Sequence, residues 1–405
     1  VGVVVCFFDL CSLVQRVLGE QNVKVLGLFK DMPRPSLDVQ RKLEQDDRTP
    51  RRALFQTEVG VEILDRTILA EAPLLRRALY KFLSVQIAQV IEAMFLRKRY
   101  DAVLSWGEEL AFPYALLCKT FGDGGTPHVA MCSWPTKNEK GFILRFIHSH
   151  IDKLILWSSV QRRIAVGKLG VPESKIAFTK YFVDQQFFRP LQREATMICA
   201  TGSEMRDYQT LVEAMRGLDI RCHIASGTPH EEHNHWIEGD LPPNVTIGAR
   251  DPVALRELYA ASQFVVIPLL RSNTDNGITC ILEAMAMGKT VICSRIEGQV
   301  DVIVEGVTGE FVAVGDPDAL RSSIKSLWND PERAASMGRK GRAYIEECQT
   351  MDKFTSDVRH VVEEAVSFRR TVVQASKERG DDMREPRWGL AARRVPVEQD
   401  ANRAQ

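Results

Sequence analysis

The sequence predicts an α/β protein made of two doubly wound domains, and three observations carry that expectation. Short apolar runs alternate with helical patterns along nearly the whole chain, which is the signature of βαβ units and parallel sheets. The alternation comes as two series, joined by a linker that follows Pro172. At 405 residues the chain is also too long for one ordinary core and about right for two.

Composition narrows the class. Hydrophobic residues make up 45% and charged residues 26%, the balance of a soluble globular protein rather than a disordered or fibrous one. Lysine plus arginine equals aspartate plus glutamate at 53 each, so no global field draws the chain to nucleic acid, and any attraction to a charged surface must be local. The nine cysteines lie scattered from Cys6 to Cys348 without Cys-x-x-Cys spacing, which fits a reducing cytoplasm. Residues 1–8 are apolar, but Asp9, Gln15 and Arg16 interrupt the run well short of the roughly 20 residues a membrane span needs, and no signal peptide is expected. Because the chain opens with valine, its N-terminus is not read as complete.

The first domain is expected over 1–188. Strands at 3–8 and 23–29 flank a helix near 12–18, and the polar stretch 31–52 reads as a long loop. One helix is expected from Leu74 through Met94, with Leu75, Leu79, Phe82, Ile87, Val90 and Ile91 among its apolar positions. Arg76, Arg77, Lys81, Arg97, Lys98 and Arg99 lie on or near its polar side. A core helix with a basic outer face is the plain reading, and peripheral contact with an anionic membrane is the alternative. Strands follow at 102–105, 128–132 and 153–156, then a helix at 161–170 that stops before Pro172.

The second domain is expected over 189–350, with strands at 196–200, 221–225, 245–247, 264–267 and 290–293. Asp251 and Asp316 each precede a proline, Pro252 or Pro317, so each can cap a helix that carries proline at its first position. A last helix near 353–370 can pack back on the first domain. The tail 374–405 is charged, contains prolines and lacks apolar periodicity, so it is expected to be disordered.

The segment 275–292 is the most informative for chemistry. It opens Asp275-Asn276-Gly277-Ile278-Thr279 and reads as a loop leaving a strand, a glycine that lets backbone approach a ligand, a short helix and another strand. A phosphate at that helix N-terminus would meet free N–H groups and the positive end of the dipole. Glu283 lies near the middle of the helix, where a carboxylate can accept hydrogen bonds from two ribose hydroxyls. The plainer alternative is an ordinary helix with one solvated glutamate.

This stretch resembles the signature of the family-4 retaining glycosyltransferases, in which an acidic residue, seven others and a glutamate precede a small-residue helix. Asp275 and Glu283 have that spacing, although Asp275 replaces the more usual glutamate, Asn276-Gly277 the usual Gly-x-Gly and Lys289-Thr290 the usual basic residue and proline. Further matches run in order over roughly 145–345. Upstream are Leu169-Gly170-Val171-Pro172, Lys175-Ile176, Val183-Asp184, Phe188 and Pro190. Downstream are Gly298, Glu305-Gly306, Thr308-Gly309, Asp316, Asp330-Pro331 and Met337-Gly338.

The resemblance implies the GT-B fold, two Rossmann-like doubly wound domains facing each other across a cleft, with the nucleotide sugar held by the C-terminal one. It implies transfer of a sugar from a nucleotide-diphosphate donor to a hydroxyl acceptor (a glycan, lipid or small molecule) with retention at the anomeric carbon, and with neither a cofactor nor an obligatory metal. The loop Gly202-Ser203-Glu204-Met205-Arg206 is then a phosphate cradle in which Arg206 takes the place of the family's lysine and can bind a diphosphate through two N–H groups. The alternative is a surface arginine pairing with Glu204 or Asp207. Arg206 and the backbone at Gly277, Ile278 and Thr279 would serve the diphosphate, Glu283 the ribose and Asp275 a sugar hydroxyl.

On the acceptor side, Trp106, Gly107 and Glu108 follow a strand and are expected at a cleft-facing strand end. There Glu108 either orients an acceptor hydroxyl or serves as a helix-start carboxylate. The histidine that the family often carries after the strand at 129–132 is replaced by Ser133-Trp134-Pro135, and the glycine-rich first loop is missing after Phe8. His230, His233 and His235 have a possible metal-ligand spacing, but they sit in a polar loop without a cysteine partner, and no metal is expected there. Two rival functions remain: a nucleotide-sugar epimerase of the same fold, and a nucleotide-sugar-binding protein that has lost catalysis.

Overall fold

The computed structural model describes residues 23–30, 35–137, 139–227, 237 and 239–378. Within them lie two six-stranded parallel sheets. The first runs in the order β2-β1-β3-β4-β5-β6, formed by β1 (Val25–Phe29), β2 (Val61–Ile63), β3 (Ala102–Trp106), β4 (His128–Met131), β5 (Lys153–Leu156) and β6 (Ile176–Phe178). The second runs β12-β11-β10-β7-β8-β9, formed by β7 (Met197–Thr201), β8 (Cys222–Ala225), β9 (Val245–Ile247), β10 (Ser262–Ile267), β11 (Thr290–Ser294) and β12 (Gly309–Val312). Parallel sheets are covered on both faces, so their central strands are unbroken apolar runs. All five residues of β1 and all five of β11 are buried. That is why the sequence announces them, whereas β2, β6 and β12 are short edge strands of three or four residues that carry no such run.

One face of the first sheet is covered by α5 (Val85–Leu96), α6 (Glu108–Phe121), α7 (Glu139–Ile147) and α8 (Ser159–Gly167), whose Val90, Leu110, Ala115, Leu144 and Ala165 pack against Leu26, Val103, Ala130 and Leu154. The other face receives α2 (Arg52–Glu58) and the last helix, α14 (Met351–Glu378). Phe354, Val358, Val362 and Val366 of α14 join Val25, Leu104, Val129 and Ile155 in one core. The chain thus returns from the second sheet to close the first. Two segments run side by side where it crosses, Val183 N–H bonding the Gln349 carbonyl and Met351 N–H the Val183 carbonyl, each at 3.0 Å. Arg51 clamps the pair, its guanidinium reaching Asp184 at 2.9 Å and Asp352 at 2.8 Å.

The second sheet carries α10 (Pro252–Ala261), α11 (Ile278–Ala286) and part of α13 (Pro331–Cys348) on one face, and α9 (Tyr208–Met215) and α12 (Pro317–Asn329) on the other. The caps read from sequence form as expected. Asp251 accepts from Ala254 N–H and Asp316 from Ala319 N–H, with proline at the start of each helix.

Three expectations need correction. The stretch 31–52 is not one long loop: α1 (Leu37–Gln45) is a helix capped by Ser36, and it reads as a loop in sequence because it is mostly polar and none of its residues is buried. The single helix expected from Leu74 to Met94 follows the short α3 (Arg66–Glu71) and is two, α4 (Leu74–Tyr80) and α5, separated at 81–84, where the Ser84 hydroxyl accepts from Ile87 N–H and starts a new helix. The C-terminal helix begins at Met351 and continues through Glu378, past residue 374, and residues 379–405 lie outside the described ones. The strand expected at 3–8, the helix at 12–18 and the histidines at 230, 233 and 235 also lie outside them.

Candidate active site

An open parallel sheet binds ligands where the strand order reverses, because the loops leaving the two neighbouring strands there turn to opposite faces and open a crevice. In the second sheet that point lies between β7 and β10. The loops that follow these strands cross there. Asp207 N–H bonds the Pro268 carbonyl at 3.0 Å, Leu270 N–H bonds the Met205 carbonyl at 3.0 Å, and Arg206 bridges Leu269. Gly202 and Met205 both have positive φ, 91° and 53°, so the first loop doubles back tightly. A β-carbon on Gly202 would collide with the Arg206 guanidinium, which only glycine at that position permits.

Arg206 is therefore not a surface residue. It is buried, and it bonds the carbonyls of Thr201 at 2.8 Å and Glu204 at 2.7 Å and the Cys280 sulfur at 3.4 Å. Among the described residues no carboxylate pairs with it; Glu204 meets it through its backbone and Asp207 instead caps α9. Three of its five N–H donors are used, which leaves one on each terminal nitrogen for an anion. Opposite it, α11 begins at Gly277, whose φ of 85° and missing side chain leave the helix without a side-chain cap. A β-carbon there would stand 2.9 Å from Ile267. The open helix N-terminus and the guanidinium converge on one spot, a cation beside a positive dipole end.

Glu283 lies farther along α11, half-buried, with Oε2 accepting from the Tyr259 hydroxyl at 2.9 Å; that hydroxyl also meets Thr201 Oγ1 at 3.0 Å. Burial pushes the Glu283 pKa up to about 7, against the opposing pull of Tyr259 and Arg206. Ser203 holds the loop after β8, its hydroxyl accepting from Gly227 N–H at 2.8 Å and meeting Ser226 at 3.2 Å. Ile278 N–H is taken by the Asp275 carbonyl at 3.2 Å, and the Ile278 side chain packs against the cores of both halves. Tyr181 lies beside Thr279, and burial pushes its hydroxyl up to about 12.

Asp275 faces the first half. Its Oδ1 accepts from the Trp134 indole N–H at 3.0 Å, while Oδ2 is buried without a partner, as is Oδ1 of Asn276. Burial raises the Asp275 pKa to about 6, and the bond from the Trp134 indole holds it from rising further. The loop is rigid behind the carboxylate. Gln299 donates to the Asn276 carbonyl at 3.1 Å, and Gly298 lies so close to Thr274 that any side chain there would strike backbone.

On the first half the three expected acceptor residues part company. Trp106 points into an aromatic cluster with Phe29, Phe55, Phe182 and Phe354, ring centroids 5.5 to 6.3 Å away. Gly107 supplies a φ of 102° that turns β3 into α6. Glu108 is buried and fully engaged, accepting from Trp134 N–H at 2.5 Å and pairing with Lys140 at 3.1 Å. It thus works as an anchor for the loop after β4, and Trp134 on that loop is what reaches across. Gln161 steadies the same loop, accepting from the Thr136 hydroxyl at 2.5 Å and donating to the Asn273 carbonyl at 3.3 Å. The sequence marks Trp134 only as the absence of a histidine and does not point to Tyr259, Cys280 or Gln299; Cys280 follows Thr279 and Gln299 follows Gly298, but neither side chain carries a signal of its own, and Tyr259 lies on a helix with no motif.

Residues 184–344 match the family described as Glycosyl transferases group 1. The capsular polysaccharide biosynthesis glycosyltransferase CapM of Staphylococcus aureus is 30% identical over 250 residues, covering 57% of this chain and 62% of CapM. The chain thus spans less than two thirds of that relative's length. Among solved structures, sucrose-phosphate synthase from Thermosynechococcus elongatus superposes with a TM-score of 0.64 at 16% identity, covering 85% of this chain and 99% of that one. HepE of Anabaena in complex with UDP-glucose gives 0.62 at 14% identity with the same coverage. These likenesses show the fold: two Rossmann-like parallel-sheet domains facing each other, the GT-B architecture.

Proposed function

We propose that this chain is a glycosyltransferase that moves a sugar from a nucleotide-diphosphate donor to a hydroxyl acceptor, with retention at the anomeric carbon. The observation that carries the reading is the convergence, at the switch point of the second sheet, of the buried Arg206 guanidinium, the uncapped N-terminus of α11 and the half-buried Glu283 carboxylate. Phosphates between Arg206 and Gly277 would place a ribose toward Glu283 and the sugar toward the unpartnered Oδ2 of Asp275. The match of residues 184–344 to the Glycosyl transferases group 1 family supports the same assignment.

In this reading the bond from the anomeric carbon to the diphosphate oxygen breaks as the acceptor oxygen forms a bond on the same face, and the acceptor proton passes to the departing phosphate. Negative charge grows on the leaving group. Arg206 and the α11 N-terminus, already fixed in place, stabilise that charge better in the transition state than in the ground state. Asp275 and Glu283 orient sugar and ribose. Because a fixed guanidinium and a helix end neutralise the diphosphate, the reading assigns no step to a divalent ion.

Titration calorimetry of the full chain with UDP-, GDP- and ADP-sugars, followed by acceptor-dependent release of the nucleoside diphosphate, tests the proposal. Binding of one base class with turnover only when a hydroxyl acceptor is present supports it. Release of nucleotide and an epimerised sugar without acceptor would assign the fold to an epimerase, and binding without turnover on any acceptor to a binding protein.

A further inference from the structure

Behind the loops of the candidate site, one buried tyrosine joins the two side chains assigned to the phosphates and the ribose. Tyr259, on α10, is fully buried, and its ring packs edge-on against Phe188 with centroids 6.2 Å apart, so its hydroxyl is held in place. That hydroxyl lies 2.9 Å from Glu283 Oε2 and 3.0 Å from Thr201 Oγ1. An ionised carboxylate only accepts, so Tyr259 donates to Glu283 and its own oxygen accepts from Thr201. Thr201 also reaches the phosphate end, because its carbonyl accepts from Arg206 Nε at 2.8 Å. A continuous path therefore runs from Arg206 through Thr201 and Tyr259 to Glu283, tying the end of β7 to α10 and α11. Among the described residues Tyr259 is the one hydrogen-bond donor to the Glu283 carboxylate, and no lysine or arginine forms an ion pair with it.

We infer that Tyr259 is a positioning residue of the donor site: its hydroxyl fixes Oε2 of Glu283 so that Oε1 meets the ribose hydroxyls, a role that stands on the ribose assignment of Glu283. A glutamate side chain turns about several bonds, and a carboxylate that must meet two hydroxyls gives up that freedom on binding. A bond made beforehand removes part of the cost. The same bond favours the charged form. Burial pushes the Glu283 pKa up to about 7, and the Tyr259 hydroxyl and Arg206 oppose the rise. Cys280 and Tyr181 are the other titratable groups beside Glu283, and burial holds both above their ordinary values, while Arg206 stays charged. Near neutral pH, Glu283 is thus the group among these that changes charge.

Titration calorimetry of the full chain with UDP, GDP and ADP, each against its 2′,3′-dideoxy counterpart, tests the role at the ribose alone, since both members of a pair carry the same base and phosphates. The wild type should prefer the ribonucleotide that it binds over the dideoxy form, and the preference should grow as pH rises through about 7. Tyr259→Phe should weaken the ribonucleotide about five- to tenfold near neutral pH, leave the dideoxynucleotide within about twofold, and regain the preference toward about pH 9, because Glu283 then ionises at higher pH. Thr201→Val reads the same path without touching the Tyr259 ring. It keeps the carbonyl that Arg206 uses and should move the profile the same way by less. A tyrosine that only packs would lower the melting temperature and leave the pH dependence of the preference as in the wild type, which overturns the inference. A wild type that binds a nucleoside diphosphate no better than its dideoxy form overturns the ribose assignment and this role together, and one that binds none of the three overturns the donor site itself.

Discussion

The indole N–H of Trp134 donates to Asp275 Oδ1 at 3.0 Å, joining residues 141 positions apart across the two halves of the molecule. Glu108 holds the other end of this contact by accepting from the Trp134 backbone. The Trp134 side chain thus ties together two loops that face each other at the site.

Trp134→Phe keeps an aromatic ring and removes the donor. Asp275 then has both oxygens buried without that bond, and its pKa, already raised to about 6 by burial, rises further. Where turnover requires the ionised carboxylate, the acid limb of the kcat/KM profile should move to higher pH while the rate above pH 8 is largely kept. An acid limb identical to that of the wild type would show that Asp275 does not titrate in the working enzyme.

Glu283→Ala should weaken donor binding by roughly 1.5–3 kcal/mol, the worth of hydrogen bonds to a charged acceptor. Unchanged donor affinity by calorimetry would remove the ribose assignment. Glu283→Gln gives a second readout. The folded pKa of about 7 stands above the ordinary value of 4.5, so the folded state holds more protons than the unfolded one between these values, and stability falls as pH rises through them. The glutamine variant carries no charge to bury. Its melting temperature should therefore exceed that of the wild type at pH 8, and the difference should vanish toward pH 4.

Arg206→Ala should slow turnover on the order of 100- to 1000-fold, the usual cost of losing one preorganised donor at developing charge. It also strips a buried partner from the Thr201 and Glu204 carbonyls. A loss of about 1–3 kcal/mol in stability is expected beside the kinetic effect, and melting curves measured in parallel separate the two. Arg206→Lys restores the charge without the planar fork and should retain part of the activity. Wild-type turnover in Arg206→Ala would refute the phosphate role.

Exhaustive chelation with EDTA should leave turnover intact, because the assigned phosphate ligands are a guanidinium and backbone N–H groups. Loss of activity on chelation, restored by a divalent ion, would require a different account of how the diphosphate is neutralised.

The second sheet was more legible in the sequence than the first half's site, and particular residues show why. The strands around β10 and β11 are buried on both faces and so read as apolar runs. The caps at Asp251 and Asp316 depend only on residues three positions on. Local rules suffice for such features. Helix α1 is mostly polar and has no buried residue, so it reads as a solvated loop, and the break at Ser84 lies inside an apolar series that looks continuous.

The sequence by itself determined the alternation of strands and helices, the two-sheet plan and the spacing that sets Asp275 and Glu283 on either side of a helix start, because each of these follows from chemistry within a few turns of chain. Only the tertiary structure decided what those residues meet. Strand order put the loops after β7 and β10 side by side, and that crossing buried Arg206 against Gly202 and Cys280 instead of leaving it on the surface. The packing of the halves gave Asp275 its bond to Trp134 and turned Glu108 from an acceptor-side carboxylate into an anchor. Contacts between residues far apart in the chain depend on how sheets are ordered and stacked, and a linear pattern of apolar and polar residues does not encode that order.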